Sequence, residues 1–353
     1  MAKPFPPTRR PLTLRIVARS LHFFEWLILI QLLAMHALFY FKGCGWQWWT
    51  LPVSFLTFGP YPVLLSLAGM LFMGLGLGLW RRRLSAAGAY FQRLLTWEWW
   101  SLTLRIWLGI VLSMHIYVWL KLYVPFINSN LLDTSIWEFE QSLLGGMSPN
   151  VFILELFKYP WALRGMDWAY PNLFQFGLLA CLMIIPALPS RCLRLACATS
   201  YILMWTTGGW LHVLLPVMGP CYWFPSCWKP YAQWLPRTLH MQAELLKNYQ
   251  ELTLFGHGAG LQVHPAFGVA AMPSMHNANQ ALLAMWAWRL NRWAGWGIWI
   301  TFALIFLGSV ITGWHYVVDS VAGAALAAAW YWGVRCAFHL SKTDLRGSPG
   351  EWV

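Results

Sequence analysis

The chain has 353 residues, of which 59% are hydrophobic, 17% aromatic and only 10% charged. A soluble domain carries about a quarter charged residues, so this much apolar surface requires lipid as part of its solvent. The net charge of +12 comes without a basic run interleaved with polar readers, which argues against a nucleic-acid partner.

A membrane span needs about 20 largely apolar residues. About eight stretches qualify, roughly 22–41, 53–80, 106–124, 171–189, 195–217, 274–290, 294–313 and 315–334. The first contains Glu25 and His36 and lacks a convincing small-residue cleavage site, so it is expected to be retained as a span. Gly74, Gly76 and Gly78 in the second permit close helix packing. The sixth is short and is expected to begin below the membrane surface.

The cations set the orientation. Lys3, Arg9, Arg10, Arg15 and Arg19 precede the first span, and Arg81, Arg82, Arg83, Arg93 and Arg105 lie between the second and third. Arg191 and Arg194 separate the fourth and fifth, Arg289 and Arg292 the sixth and seventh, and Arg335, Lys342 and Arg346 follow the eighth. All of these fall on one side if both termini are cytoplasmic. Two longer segments, about 125–170 and 218–273, then lie outside. The first is broken by Gly145, Gly146 and Pro149 and suits short interfacial helices; the second is rich in Trp and Pro. Most of the 27 Trp are expected to be interfacial anchors.

Ionisable residues at membrane depth raise a functional question by default. His315 and Asp319 are four apart at the start of the last span, so one helical face presents both. A carboxylate placed there can hold the imidazole in one tautomer and support its positive charge. His276 opens the sixth span in Pro273-Ser274-Met275-His276, with Ser274 as the expected N-cap. Two crossings separate His276 from His315, which puts both on the same outer face. A helix N-terminus beside two histidines is a natural phosphate site, where one imidazole could attack phosphorus and the other protonate the departing oxygen.

The remaining histidines and cysteines read more simply. His22, His36, His115 and His212 are isolated on apolar stretches, where interhelical hydrogen bonding is expected. His257 and His264 in the outer loop could form a metal pair, and Cys221 and Cys227 a disulfide if that compartment is oxidising.

The segment Pro-Ser-Met-His at 273–276, followed by His-Tyr-Val-Val-Asp at 315–319, resembles the second and third motifs of the type 2 phosphatidic acid phosphatase superfamily. The His-Tyr-x-x-Asp form, followed by Ser320 and Gly323, is closest to the branch containing inositol phosphorylceramide synthases. The resemblance covers about 125–335, including the acidic stretch after Asp133 and the tract from Pro216 to Trp223. It implies His315 as a nucleophile forming a phosphohistidine, Asp319 as its orienting partner and His276 as acid and then base, with no metal or cofactor. Ser274 and Tyr316, with Lys229 and Arg237 from the outer loop, are the candidate substrate contacts.

The departures bear on the reaction. The phosphatase branch has Lys-x6-Arg-Pro, whereas Lys229 to Arg237 has the wrong spacing and no following Pro. That branch also carries Ser-Arg where this chain has Gly308-Ser309, and Gly where this chain has Met275. The usual cationic phosphate clamp is therefore missing, as it is in synthase-type relatives, and a phosphodiester needs less charge compensation than a monoester. Lys121, Lys158, Arg164, Lys229, Arg237 and Lys247 all lie outside, and the sequence does not choose among them.

The expected protein is thus all-α, with residues 1–124 as accessory spans, 125–335 as a catalytic membrane bundle and 336–353 as a cytoplasmic tail. It would move a phosphate-linked head group from a phospholipid to a lipid alcohol; hydrolysis of a lipid phosphate and a non-enzymatic lipid-binding or transport role are the alternatives. Its compact loops point to a bacterial inner membrane with the site on the periplasmic face and lipid substrates as its partners. No oligomeric state follows from the sequence.

Overall fold

The computed structural model describes residues 21–44, 50–80, 84–255 and 264–340. The terminal cations up to Arg19, the Arg81–Arg83 cluster, His257, Lys342 and Arg346 lie outside these. Among the described residues the regular structure is entirely helical, as composition requires.

The chain enters through α1 (Phe23–Phe41), then α2 (Thr50–Phe58) and α3 (Pro60–Trp80), α4 (Leu84–Leu94) and the long α5 (Trp97–Ile127). Two short helices follow, α6 (Asp133–Leu143) and α7 (Pro149–Leu156), before α8 (Pro160–Ala187) and α9 (Arg191–Leu214). A one-turn α10 (Pro220–Trp223) and two 3-10 turns lead to α11 (Pro236–Phe255). The chain ends on α12 (Met275–Leu290), α13 (Arg292–Ile311) and α14 (Val317–Ala337).

Among the described residues six segments are long and apolar enough to cross a bilayer: α1, Thr50–Leu79 across α2 and α3, α5, α8, α13 and α14. The other two expected spans exist as α9 and α12 but are less apolar or shorter, because they occupy the interior. On α9, Arg194, Thr199, Ser200, Thr206 and His212 are all buried, as are Asn277, Asn279 and Gln280 on α12. A helix wrapped in protein meets no lipid and can carry polar side chains. The 16 residues of α12 span about 24 Å against a hydrocarbon core of about 30 Å.

Several boundaries differ from the sequence expectation. The second span is two helices broken at Gly59, before Pro60. The third begins at Trp97 and not near 106, because Thr96 caps it by accepting the Trp99 N–H. The fourth begins at Pro160 and not near 171, since a proline is tolerated in a first turn. The outer segment 125–170 shrinks accordingly, but it does contain the two short helices.

Packing explains the awkward residues. Glu25 within α1 is paired with Arg105 of α5, so neither charge faces lipid alone. His115 bonds Ser54 of α2 at 2.9 Å, and His212 bonds the Met272 carbonyl at 2.8 Å. His36 instead bonds a carbonyl of its own helix, Leu32, and stacks on His115. The His22 backbone N–H is accepted by Glu25, which makes it a helix cap, not a bridge between helices. A Cβ at Gly74 would meet the Phe91 ring of α4 and one at Gly78 the Ala87 methyl, so two of the three glycines admit a neighbouring helix.

The bundle's centre is where α9 packs on α5 and α14, and α12 on α13 and α14. One close approach there is at Gly323, where a Cβ would collide with the Ser274 carbonyl oxygen. A backbone atom cannot rotate away, so Gly323→Ala must push α14 off α12. We expect that variant to lose about 1–3 kcal/mol of stability, read as a lower melting temperature of the purified protein in detergent. An unchanged melt would mean the two helices are not in this contact.

Candidate active site

Two helix starts and one turn build the site. Ser274 caps α12 by accepting the Asn277 N–H, and its own backbone N–H donates to the Asp319 carbonyl at 2.9 Å, tying the start of α12 to that of α14. Asn277 Nδ2 then donates to Ser274 Oγ and Ser320 Oγ at 3.0 Å and to Ser309 Oγ at 3.3 Å, so one buried amide pins three helices.

His315 sits on the turn between α13 and α14. Gly313 makes that turn at φ +76°, a conformation that favours glycine, with the Trp228 indole packed where a side chain would project. The outer segments fasten this turn. Trp228 Nε1 donates to the Ile311 carbonyl, Gln242 Nε2 to Thr312, the Cys221 N–H to Gly313, and Asn150 Nδ2 to His315, all at 2.8–2.9 Å. The loops between the spans thus hold a catalytic-type residue in register.

The result is a close pair of imidazoles. His315 Nε2 lies 3.3 Å from His276 Nδ1, with ring centroids 5.4 Å apart. His315 is 5% exposed; His276 is half-buried and held between Phe174 at 4.1 Å and Tyr170 at 5.3 Å. Asp319 Oδ2 accepts the Tyr316 N–H at 2.9 Å and stands 3.6 Å from His315 Nδ1. That separation is too long for a hydrogen bond.

Both rings open into a cavity of about 600 Å³ whose walls are largely apolar, including Phe174, Leu178, Met218, Met241 and Phe267. Two cations reach it: Lys121 from α5 and Arg237 from α11. The other candidate cations do not. Lys158 pairs with Glu155 and Lys247 with Glu251, while Arg164 and Lys229 are exposed away from the cavity wall. Of the substrate contacts expected from the sequence, Arg237 is therefore at the wall and Lys229 is not. Ser274 is fully buried and engaged with Asn277, and the Tyr316 hydroxyl points to Asp133 at 3.0 Å, so neither lines the cavity.

The N-terminus of α14 is already partly occupied. Its N–H groups are taken by carboxylates, Tyr316 by Asp319 and Val318 by Glu140 at 2.7 Å. Asp133 is buried and accepts the Met218 and Gly219 N–H groups at 2.9 Å as well as the Tyr316 hydroxyl. Sequence reasoning marked the stretch after Asp133 as acidic without assigning these roles. Buried Asn150, 165 residues from the carbonyl it holds, left no local signal.

Burial, with the Asp319 carboxylate nearby, pushes Glu140 up to about 7 against the donated Val318 N–H. Burial likewise raises Asp133 despite its three donors. A carboxyl raised in the folded state ionises first in the unfolded chain, so folding stability falls as pH rises from about 4.5 to about 7 and is then level. Glu140→Gln keeps an acceptor for Val318 without the titration. Its stability advantage over the native chain is expected to grow across that window by up to about 3 kcal/mol, followed by thermal melts at several pH values. Equal pH dependence in both proteins would contradict a raised Glu140.

The cysteines at 221 and 227 are both free thiols. Among the described residues no three His, Cys, Asp or Glu side chains converge as a metal site. His264 caps a 3-10 turn by accepting the Ala266 N–H, and its suggested metal partner His257 lies outside the described residues.

With this geometry in place, a family model of the PAP2 superfamily matches residues 134–333, more than half the chain. The chain belongs to the PAP2 superfamily. Comparisons with curated proteins and with solved structures give no match. Membership together with six apolar crossing helices makes this an integral, multi-pass membrane protein. PAP2 members generally are lipid phosphatases or phosphotransferases, and that is the activity class that membership suggests here. Both histidines and Asp319 lie inside the matched region, whereas Lys121 lies before it.

Proposed function

We propose that this PAP2 protein is a lipid phosphotransferase, similar to the inositol phosphorylceramide synthase branch, working through a phosphohistidine on His315. The observation that carries the reading is the 3.3 Å approach of two imidazole nitrogens at the wall of an apolar cavity that holds two cations. With its proton on Nδ1 towards Asp319, His315 attacks the phosphorus of a phospholipid diester through Nε2. The bond from phosphorus to the diacylglycerol oxygen breaks, and His276 gives its proton to that oxygen. His276 then takes the proton of a lipid alcohol, such as ceramide or diacylglycerol, whose oxygen attacks phosphorus and frees His315.

The charge of the phosphodiester is met by Lys121 and Arg237 in place of the missing motif. Lys121→Gln should lower kcat/KM by about tenfold or more, while Lys121→Arg retains most of it. Initial rates over a range of donor concentration test this, and an unaltered Lys121→Gln would remove that residue from phosphate binding.

Orientation follows the cations. Arg191, Arg289, Arg292 and Arg335 sit at helix ends remote from the histidines, which supports cytoplasmic termini and a site at the periplasmic face of a bacterial inner membrane. Hydrolysis is the second reading, favoured by the exposure of Arg237, which leaves the cavity reachable by water. Purified protein given labelled phospholipid with and without a lipid alcohol separates them. A new labelled lipid that requires the alcohol is expected, and release of water-soluble phosphate or head group alone would overturn transfer.

A further inference from the structure

The cavity beside the histidines holds a polar group that the proposed reaction leaves unused. Tyr170 of α8 lines it and is 3% exposed. Its ring centre lies 5.3 Å from that of His276. The Tyr170 hydroxyl is buried and has no hydrogen-bond partner among the described residues. The other tyrosine of the wall differs, since the Tyr222 hydroxyl donates to the Gln242 carbonyl at 3.3 Å. A buried hydroxyl left unpaired carries its full desolvation cost, and an acceptor brought in by a ligand would remove it.

The surroundings fix Tyr170 in this place. At Gly308 of α13 a Cβ would come within 2.8 Å of the Tyr170 Cβ and 3.3 Å of its ring, so the glycine admits the ring against α13. One turn earlier on α8, Asp167 accepts the Arg237 N–H at 3.1 Å and the Thr238 N–H at 2.7 Å. That carboxylate ties the start of α11, and with it Arg237, to the stretch of α8 that carries Tyr170. The electrostatic neighbours of the Tyr170 hydroxyl are Cys221, Tyr117 and Tyr222. The Lys121 ammonium lies 5.8 Å from the Tyr117 ring centre, so the hydroxyl faces the part of the cavity that Lys121 reaches.

Two cations already exceed the single charge of a phosphodiester, and a third buried charge would add a desolvation cost. A phenol donates one hydrogen bond and carries no charge. Between apolar walls such a bond to an anion is a strong one. We infer that the Tyr170 hydroxyl donates to a non-bridging oxygen of the bound phosphate, as a neutral third contact beside Lys121 and Arg237. This role rests on the cavity being the phosphate site, whether the reaction there is transfer or hydrolysis.

Full-length protein in detergent is titrated with dihexadecyl phosphate, or with dipalmitoylglycerol as a two-chain lipid without phosphate, following bound lipid by native mass spectrometry and the melting temperature. Tyr170→Phe keeps the ring, and without ligand it should melt at or above the native temperature because an unpaired buried hydroxyl is gone. It should bind dihexadecyl phosphate about tenfold or more weakly, and dipalmitoylglycerol as the native chain does. Unchanged affinity for dihexadecyl phosphate overturns the contact, and so does an equal loss for both lipids. A lower melt without ligand also rules it out, since the hydroxyl would then be serving the fold. If the native chain binds dihexadecyl phosphate no better than dipalmitoylglycerol, the cavity is not a phosphate site and the role of Tyr170 falls with it.

Discussion

His315→Gln is expected to lower turnover by at least about three orders of magnitude and to leave no phosphoenzyme. Glutamine is close in size to histidine, so the turn fastened by Asn150, Trp228 and Gln242 should survive, and a near-native melt would show that it does. What is lost is the only nitrogen at this position able to attack phosphorus. The measurement is labelling with phospholipid carrying ³²P, quenched in detergent at alkaline pH: the native chain should retain base-stable label that acid then releases, and the variant none. A variant that turns over at the native rate would end the nucleophile assignment.

His276→Gln should behave differently. Loss of a general acid costs about 10²–10⁴-fold when the departing group is a poorly stabilised alkoxide. A leaving group that needs no proton escapes most of that cost. A p-nitrophenyl phosphodiester should therefore label His315 in the variant at a rate much nearer the native one, with the label trapped because the acceptor alcohol has lost its base. Equal impairment with natural and activated donors would show that His276 positions the substrate and does not transfer a proton. If it is instead the nucleophile, label should vanish here and persist in the His315 variant.

How far these roles were legible depends on distance along the chain. The helix starts at Ser274 and Val317 follow from local rules of capping and periodicity, and the pairing of His276 with His315 follows from counting two crossings between them. Asp319 stands beside His315 not on one helical face, as the four-residue spacing suggests, but across the turn that precedes the Tyr316 cap. The starts of α5 and α8 were misplaced because apolar windows detect lipid contact, whereas caps and amphipathic ends decide where a helix begins. Interior helices such as α12 were under-weighted by hydropathy for the converse reason: their polar side chains are answered by protein.

The cations divide along the same line. Six lay on the expected outer side, and composition made them equivalent. Two neutralise nearby glutamates on their own helices or turns, two are exposed elsewhere, and Lys121 and Arg237 alone reach the cavity. Lys121 belongs to a helix outside the family-matched region, and it comes to the histidines only because α5 packs against α9.

The sequence by itself determined the solvent, the helical class, the approximate spans and the proximity of two histidines at one face of the membrane. Each of those rests on composition, on local spacing or on the count of crossings. Only the tertiary structure decided which cations line the cavity beside the histidines, which carboxylates close the start of α14 and which side chains hold the His315 turn. Those partners are joined through space across scores of residues, and the free energy that selects them exists only once the helices are packed.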